Sequence, residues 1–78
     1  MKPVFYVYSK EGCHLCVELI EKLIELVRDQ ASIEVIDINE SVELFEKYRE
    51  EIPVVEFGGC ILFKHYLDKS LMNKALRS

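Results

Sequence analysis

Cys13 and Cys16, three residues apart in the stretch EGCHLCVELIEKL with His14 beside the first thiol, are the residues of this 78-residue chain best suited to chemistry. A C-x-x-C pair supports three kinds of chemistry: half of a metal site, a cross-link, or exchange of a disulfide with another molecule. The choice depends on the element that carries the pair.

From Cys16 onward, Leu19, Ile20, Leu23, Ile24 and Val27 recur at helical spacing, while Glu18, Glu21, Lys22, Glu25, Arg28 and Asp29 gather on the opposite side. Cys16 joins the apolar stripe and is expected to be sheltered. Cys13, one turn earlier and just after Gly12, falls at the helix N-terminus and is expected to be the accessible thiol. Helical residues three apart have Cα atoms about 5 Å from each other, inside the roughly 4.4 to 6.8 Å that a disulfide requires. Unpaired N–H groups and the positive dipole end favour an anion at Cys13, by about 0.3 to 2 kcal/mol, which draws the thiol from about 8.5 toward neutrality. Lys10 adds to this field and Glu11 opposes it. In an exchange mechanism Cys13 attacks a disulfide and Cys16 resolves the mixed disulfide.

The remaining elements follow from the pattern of apolar runs. VFYVY (Val4 to Tyr8) reads as a central strand, and SIEVIDI (Ser32 to Ile38) as a second strand joined to it in parallel by the long helix. Val42, Phe45 and Tyr48 mark a shorter helix, Pro53 opens the strand PVVEF, and Gly58-Gly59 turns that strand into CILFK. Leu67, Leu71 and Leu76 fit a closing helix. The expected fold is α/β, in the order β-α-β-α-β-β-α with a mixed four-stranded sheet, as one domain over 1–78.

Composition narrows the partners. A chain this short buries only about 60% of the surface its unfolded form exposes, so it needs one compact core, and its 50% hydrophobic content supplies one. Ten basic against fourteen acidic residues give a net charge of −4, which excludes a broad basic field for nucleic acid. The apolar start reaches Lys10 too soon for a signal peptide or a membrane span. Three cysteines are too few for a secreted disulfide scaffold. A cytoplasmic monomer without nucleic-acid or membrane partners is expected.

The order of elements, the C-x-x-C at the start of the first helix and Ile52-Pro53 before the third strand resemble the thioredoxin fold, and the small size resembles its glutaredoxin branch. More narrowly, SKEGCHLC with EIPVV is similar to the glutaredoxin-like family of small bacterial and archaeal proteins with a Cys-His-Leu-Cys type motif. The resemblance implies a three-layer sandwich and a thiol-disulfide oxidoreductase with Cys13 and Cys16 as its catalytic pair. It further implies a cis Ile52-Pro53 bond beside that pair, with the backbone of Ile52 presented to an extended substrate. Lys10, three residues before Cys13, matches the lysine that meets a glutathione carboxylate, and Lys47 or Arg49 offers a further charge or is plain surface. His14 and Leu15 stand in the substrate site where glutaredoxins have Pro-Tyr, and FKHYLDKS stands where they have a second Gly-Gly, leaving only Asp68 as an acidic counterpart. These departures rank a dithiol reductase of protein or small disulfides above a glutathione-specific enzyme. No resident cofactor is expected. Glutathione is a candidate co-substrate, and the reductant is glutathione or a thioredoxin-reductase-like protein.

Two rival readings stay open. The pair could hold zinc or an iron–sulfur cluster with His14, His65 or Cys60 as nominal further ligands, or the fold could serve as a redox-inert binding module. Were CILFKH strand throughout, Cys60 and His65 would lie on opposite faces about 16 Å apart. Cys60 is expected to face a neighbouring strand, Tyr8 to be core, His65 and Tyr66 to shape the turn into the last helix, and Glu18 to pair with Lys22 across one helical turn.

Overall fold

The computed structural model describes residues 2–77. The elements run β1 (Val4–Ser9), α1 (His14–Val27), β2 (Ser32–Asp37), a 3-10 turn (Ile38–Glu40), α2 (Val42–Tyr48), β3 (Val54–Phe57), β4 (Cys60–Lys64) and α3 (Lys69–Arg77). They form a four-stranded sheet in the order β2-β1-β3-β4. β1 pairs in parallel with β2, from Val4 opposite Ser32 to Ser9 opposite Asp37, and antiparallel with β3, Tyr8 lying opposite Val54. β3 and β4 close an antiparallel hairpin with an irregularity after Val55. The expected order and the mixed sheet are both present.

Alternation along the strands sends side chains to two faces, each met by helix. Phe5 and Val7 of β1, Val55 of β3 and Phe63 of β4 pack with Leu19, Leu23 and Val27 of α1 and with Met72 and Ala75 of α3. Within this core the Phe5 and Phe57 rings stack at 4.5 Å. On the other face Val54 packs with Ile38 and Tyr48, and Tyr8, Leu44, Phe45 and Ile52 close around them. Helix, sheet and helix therefore make three layers.

Local chemistry moves several expected boundaries. β2 stops at Asp37, whose carboxylate accepts the Asn39 amide at 2.8 Å and turns Ile38 into the core. Ile24 is 54% exposed although the periodicity included it, because at 100° per residue it sits off the line that Leu19, Leu23 and Val27 share. In α3 the buried positions are Met72 and Ala75, and Leu71 and Leu76 flank them half-buried. Asp68 caps that helix by accepting the Leu71 amide at 3.0 Å. Among the described residues no helix is long and apolar enough to cross a membrane.

Candidate active site

The end of β1 leads into a tight turn that presents the first cysteine. The Cys13 amide donates to the Lys10 carbonyl at 3.2 Å, and Gly12 takes φ 85°, a left-handed conformation that residues with a Cβ adopt at a cost. Cys13 itself is extended (φ −90°, ψ 106°) and caps α1. Its sulfur accepts the Cys16 amide at 3.2 Å, and its carbonyl accepts the Val17 amide at 3.1 Å. A sulfur that already receives a helix N-terminal N–H is placed where negative charge is favoured, and no acidic side chain in the first turn of α1 opposes it.

Cys13 and Cys16 are joined as a disulfide with their Cα atoms 5.3 Å apart. The two sulfurs differ in access. Cys16 is 1% exposed, on the stripe it shares with Leu19 and Leu23, whereas Cys13 is partly exposed. His14 and Leu15 occupy the first two helical positions facing outward, Leu15 at 42% exposure. Lys10 is exposed in the turn and has no ion-pair partner among the described residues.

The Ile52-Pro53 bond is cis, as the resemblance implied. Because Tyr8 lies opposite Val54, Pro53 falls at the end of the sheet where β1 runs into the Cys13 turn. Its carbonyl accepts the His65 amide at 2.7 Å, which fastens the segment after β4 to the same end. The backbone of Ile52 departs from expectation. Its N–H donates to the Tyr48 carbonyl at 3.1 Å at the close of α2, so it is not free for a substrate, and the carbonyl is the group left to pair. Asp68, the candidate counterpart of the acidic residues that hold glutathione, is already engaged as the α3 cap.

The other candidates lie elsewhere. Cys60 opens β4 opposite Phe57 at the hairpin end of the sheet, remote from the Cys13 turn, and it is exposed rather than covered by a neighbour. Its strand ends at Lys64 and His65 takes φ 68°, so the opposite-face argument for Cys60 and His65 does not describe this chain. Among the described residues no three His, Cys, Asp or Glu side chains gather as metal ligands. Glu18 and Lys22 form no ion pair, and the one ion pair among the described residues joins Lys64 to Glu51. Lys47 rests 5.2 Å from the centre of the Tyr48 ring, while Arg49 is exposed.

One polar contact below the site had no signature beyond strand alternation. The Tyr8 hydroxyl donates to Glu56 Oε1 at 2.8 Å, and its ring meets Tyr48 at 4.7 Å, so β1, β3 and α2 are tied at one point. Burial, then the hydrogen bond to the Glu56 carboxylate, push the Tyr8 phenol up to about 12. An unfolded tyrosine ionises near 10, so the folded state holds the proton more tightly. The stabilisation is complete below about pH 10 and is lost as pH rises through about 12. Denaturant titrations from pH 9 to 12 should show stability falling in that window for the native chain and falling less for Tyr8→Phe. Equal slopes would remove Tyr8 as the cause.

Comparison with known proteins gives this geometry a context. Residues 5–77 match the family model for the glutaredoxin-like domain (DUF836). The solution structure of protein Ne2328 from Nitrosomonas europaea is similar at 30% identity and a TM-score of 0.82, over 95% of this chain and 91% of that one. An X. campestris protein is similar in fold at 18% identity and a TM-score of 0.73, covering 94% and 95% of the two chains. The holo form of glutaredoxin C1 from a Populus hybrid shares the fold at 22% identity and a TM-score of 0.56, over 99% of this chain and 77% of that one. The sheet order and helix layers are those of the thioredoxin-like glutaredoxins. With the family match running from the second residue of β1 to the end of α3, the chain belongs to the glutaredoxin-like domain family.

Proposed function

We propose that this protein is a thiol-disulfide oxidoreductase that works as a dithiol. The observation that carries the reading is the asymmetry of the pair: Cys13 caps α1 with its sulfur on the Cys16 amide, and Cys16 is sheltered one turn away. Reduced Cys13, as thiolate, attacks one sulfur of a substrate disulfide, forming a Cys13 mixed disulfide and expelling the other sulfur as thiolate. Cys16 then gives up its proton and attacks the Cys13 sulfur, which releases the second substrate thiolate and closes the Cys13–Cys16 disulfide. Two electrons pass from the dithiol to the substrate. A thiol reductant, glutathione or a thioredoxin-reductase-like protein, returns them.

Around the pair, the Ile52 carbonyl is the backbone acceptor for an extended substrate, Pro53 shapes that edge, Leu15 supplies an apolar contact, and Lys10 and His14 border the approach. Leu15 with its 42% exposure and the occupied Asp68 favour substrates other than glutathione.

The helix-end placement predicts a selective nucleophile. In a Cys60→Ser protein kept reduced, iodoacetamide should label Cys13 well before Cys16, and the pH–rate profile for Cys13 should have its midpoint below the ordinary thiol value of about 8.5. Equal labelling of both thiols, or a midpoint at or above that value, would count against the reading.

A further inference from the structure

Between α1 and the segment joining β4 to α3 lies a cleft of about 620 Å³ that the dithiol chemistry does not use. Leu26 and Leu67 form its half-buried floor and Tyr66, 71% exposed, one wall. Lys22, Arg28 and Lys69 stand on the rim against a single carboxylate, Glu25. In a chain of net charge −4 this is a local reversal of sign. None of these cations has an ion-pair partner among the described residues, and Arg28 Nε–H donates only to the Glu25 backbone carbonyl at 3.3 Å.

The cleft adjoins a second hollow that reaches the C-x-x-C motif at Leu15. A smaller hollow of about 40 Å³ shares Lys22, Tyr66 and Leu67 with it and is lined further by Leu19 and by Leu15, inside the C-x-x-C motif. Its outer wall is held in place, since the His65 amide is bonded to the Pro53 carbonyl at 2.7 Å. Glu18 lines this smaller hollow, so negative charge is disfavoured near the cysteines and favoured at the far end.

Length decides what fits. Leu15 to Val27, the last residue of α1, spans twelve helical steps, about 18 Å at 1.5 Å each, and Arg28 follows as the helix cap. An extended polypeptide covers that distance with about six residues at roughly 3.3 Å apiece, and a tripeptide the size of glutathione reaches only about 10 Å.

We propose that this track holds the polypeptide of a protein substrate. Apolar residues lie over Leu15 and Leu19, and acidic residues about five or six positions from the reacting cysteine enter the cleft between Lys22, Arg28 and Lys69. The inference rests on the oxidoreductase reading above and names its substrate class, an acidic segment of a disulfide-bearing protein.

The test uses synthetic peptides whose one cysteine is disulfide-bonded to thionitrobenzoate, with two Glu or two Lys placed five and six residues before or after it. At low salt the acidic peptide of one orientation should have a kcat/KM roughly fivefold or more above its lysine counterpart, as two exposed charge pairs allow. The preference should shrink toward unity in 0.5 M NaCl, where screening reaches a few ångströms, and be lost in the K22Q/R28Q/K69Q variant. Equal kcat/KM for all peptides, or a preference that survives both the salt and the triple substitution, would overturn the proposal. Bis(2-hydroxyethyl) disulfide separates the two readings. If the native protein reduces it without any acidic preference among peptides, only the cleft proposal falls, and if it reduces neither class, the oxidoreductase reading falls with it.

Discussion

Cys13→Ser is expected to abolish disulfide reduction, a loss on the order of 10³-fold or more, because a hydroxyl at the α1 cap cannot form the mixed disulfide from which the second step proceeds. Cys16→Ser should behave differently. Its Cys13 still caps the helix and still accepts an amide from position 16, so the first attack survives while intramolecular release is lost. Under single-turnover conditions intact-mass measurement should find Cys16→Ser stalled as a one-to-one adduct with the substrate thiol, and Cys13→Ser unmodified at position 16. The burial of Cys16, at 1% exposure, is what makes the two variants unequal. An adduct on both, or residual turnover in Cys13→Ser above about a hundredth of native, would assign the chemistry to another group. Cys60→Ser should leave the adduct pattern unaltered, since Cys60 sits at the hairpin end of the sheet.

Leu23→Ala should cost about 2 to 5 kcal/mol, measured as a drop in the denaturant midpoint with little change in slope. Leu23 has no exposed surface and lies at the middle of α1, where Phe5, Val7, Val55 and Met72 share its cluster. A small domain has only about 5 to 15 kcal/mol of net stability, so the substitution removes a large share of it. The neighbour gives the contrast. Ile24→Ala, at 54% exposure, should stay within about 0.5 kcal/mol of native although both residues belong to one apolar pattern. Similar losses at the two positions would mean that α1 is rotated from the orientation that shelters Cys16.

Much of this arrangement is legible in the residues. The Cys13–Cys16 spacing and the stripe through Leu19, Leu23 and Val27 give a capping thiol and a sheltered thiol before any coordinates, since both follow from helical geometry alone. VFYVY and Gly58-Gly59 likewise give a central strand and a hairpin. The errors fall where one side chain or amide has two candidate partners and only tertiary placement chooses. The resemblance implies an Ile52 backbone presented to a substrate, yet the end of α2 brings the Tyr48 carbonyl to its N–H. Asp68 was a candidate ligand for glutathione, yet a helix beginning at Lys69 claims its carboxylate as a cap. Glu18 and Lys22 stand one turn apart but do not pair, which leaves Lys22 at the mouth of the cleft. The cleft and the smaller hollow beside it had no sequence signature, because Leu15, Lys22 and Tyr66 come together only when the segment after β4 is fastened to Pro53.

The most direct test of the dithiol reading is to equilibrate the native protein across glutathione redox buffers, trap free thiols by alkylation, and map the modified cysteines by mass spectrometry. The expected result is a reversible two-electron transition in which Cys13 and Cys16 become protected together as one disulfide and Cys60 stays outside it. Two thiols that remain reduced across the whole series, or that become alkylatable only after a chelator is added, would contradict the oxidoreductase reading.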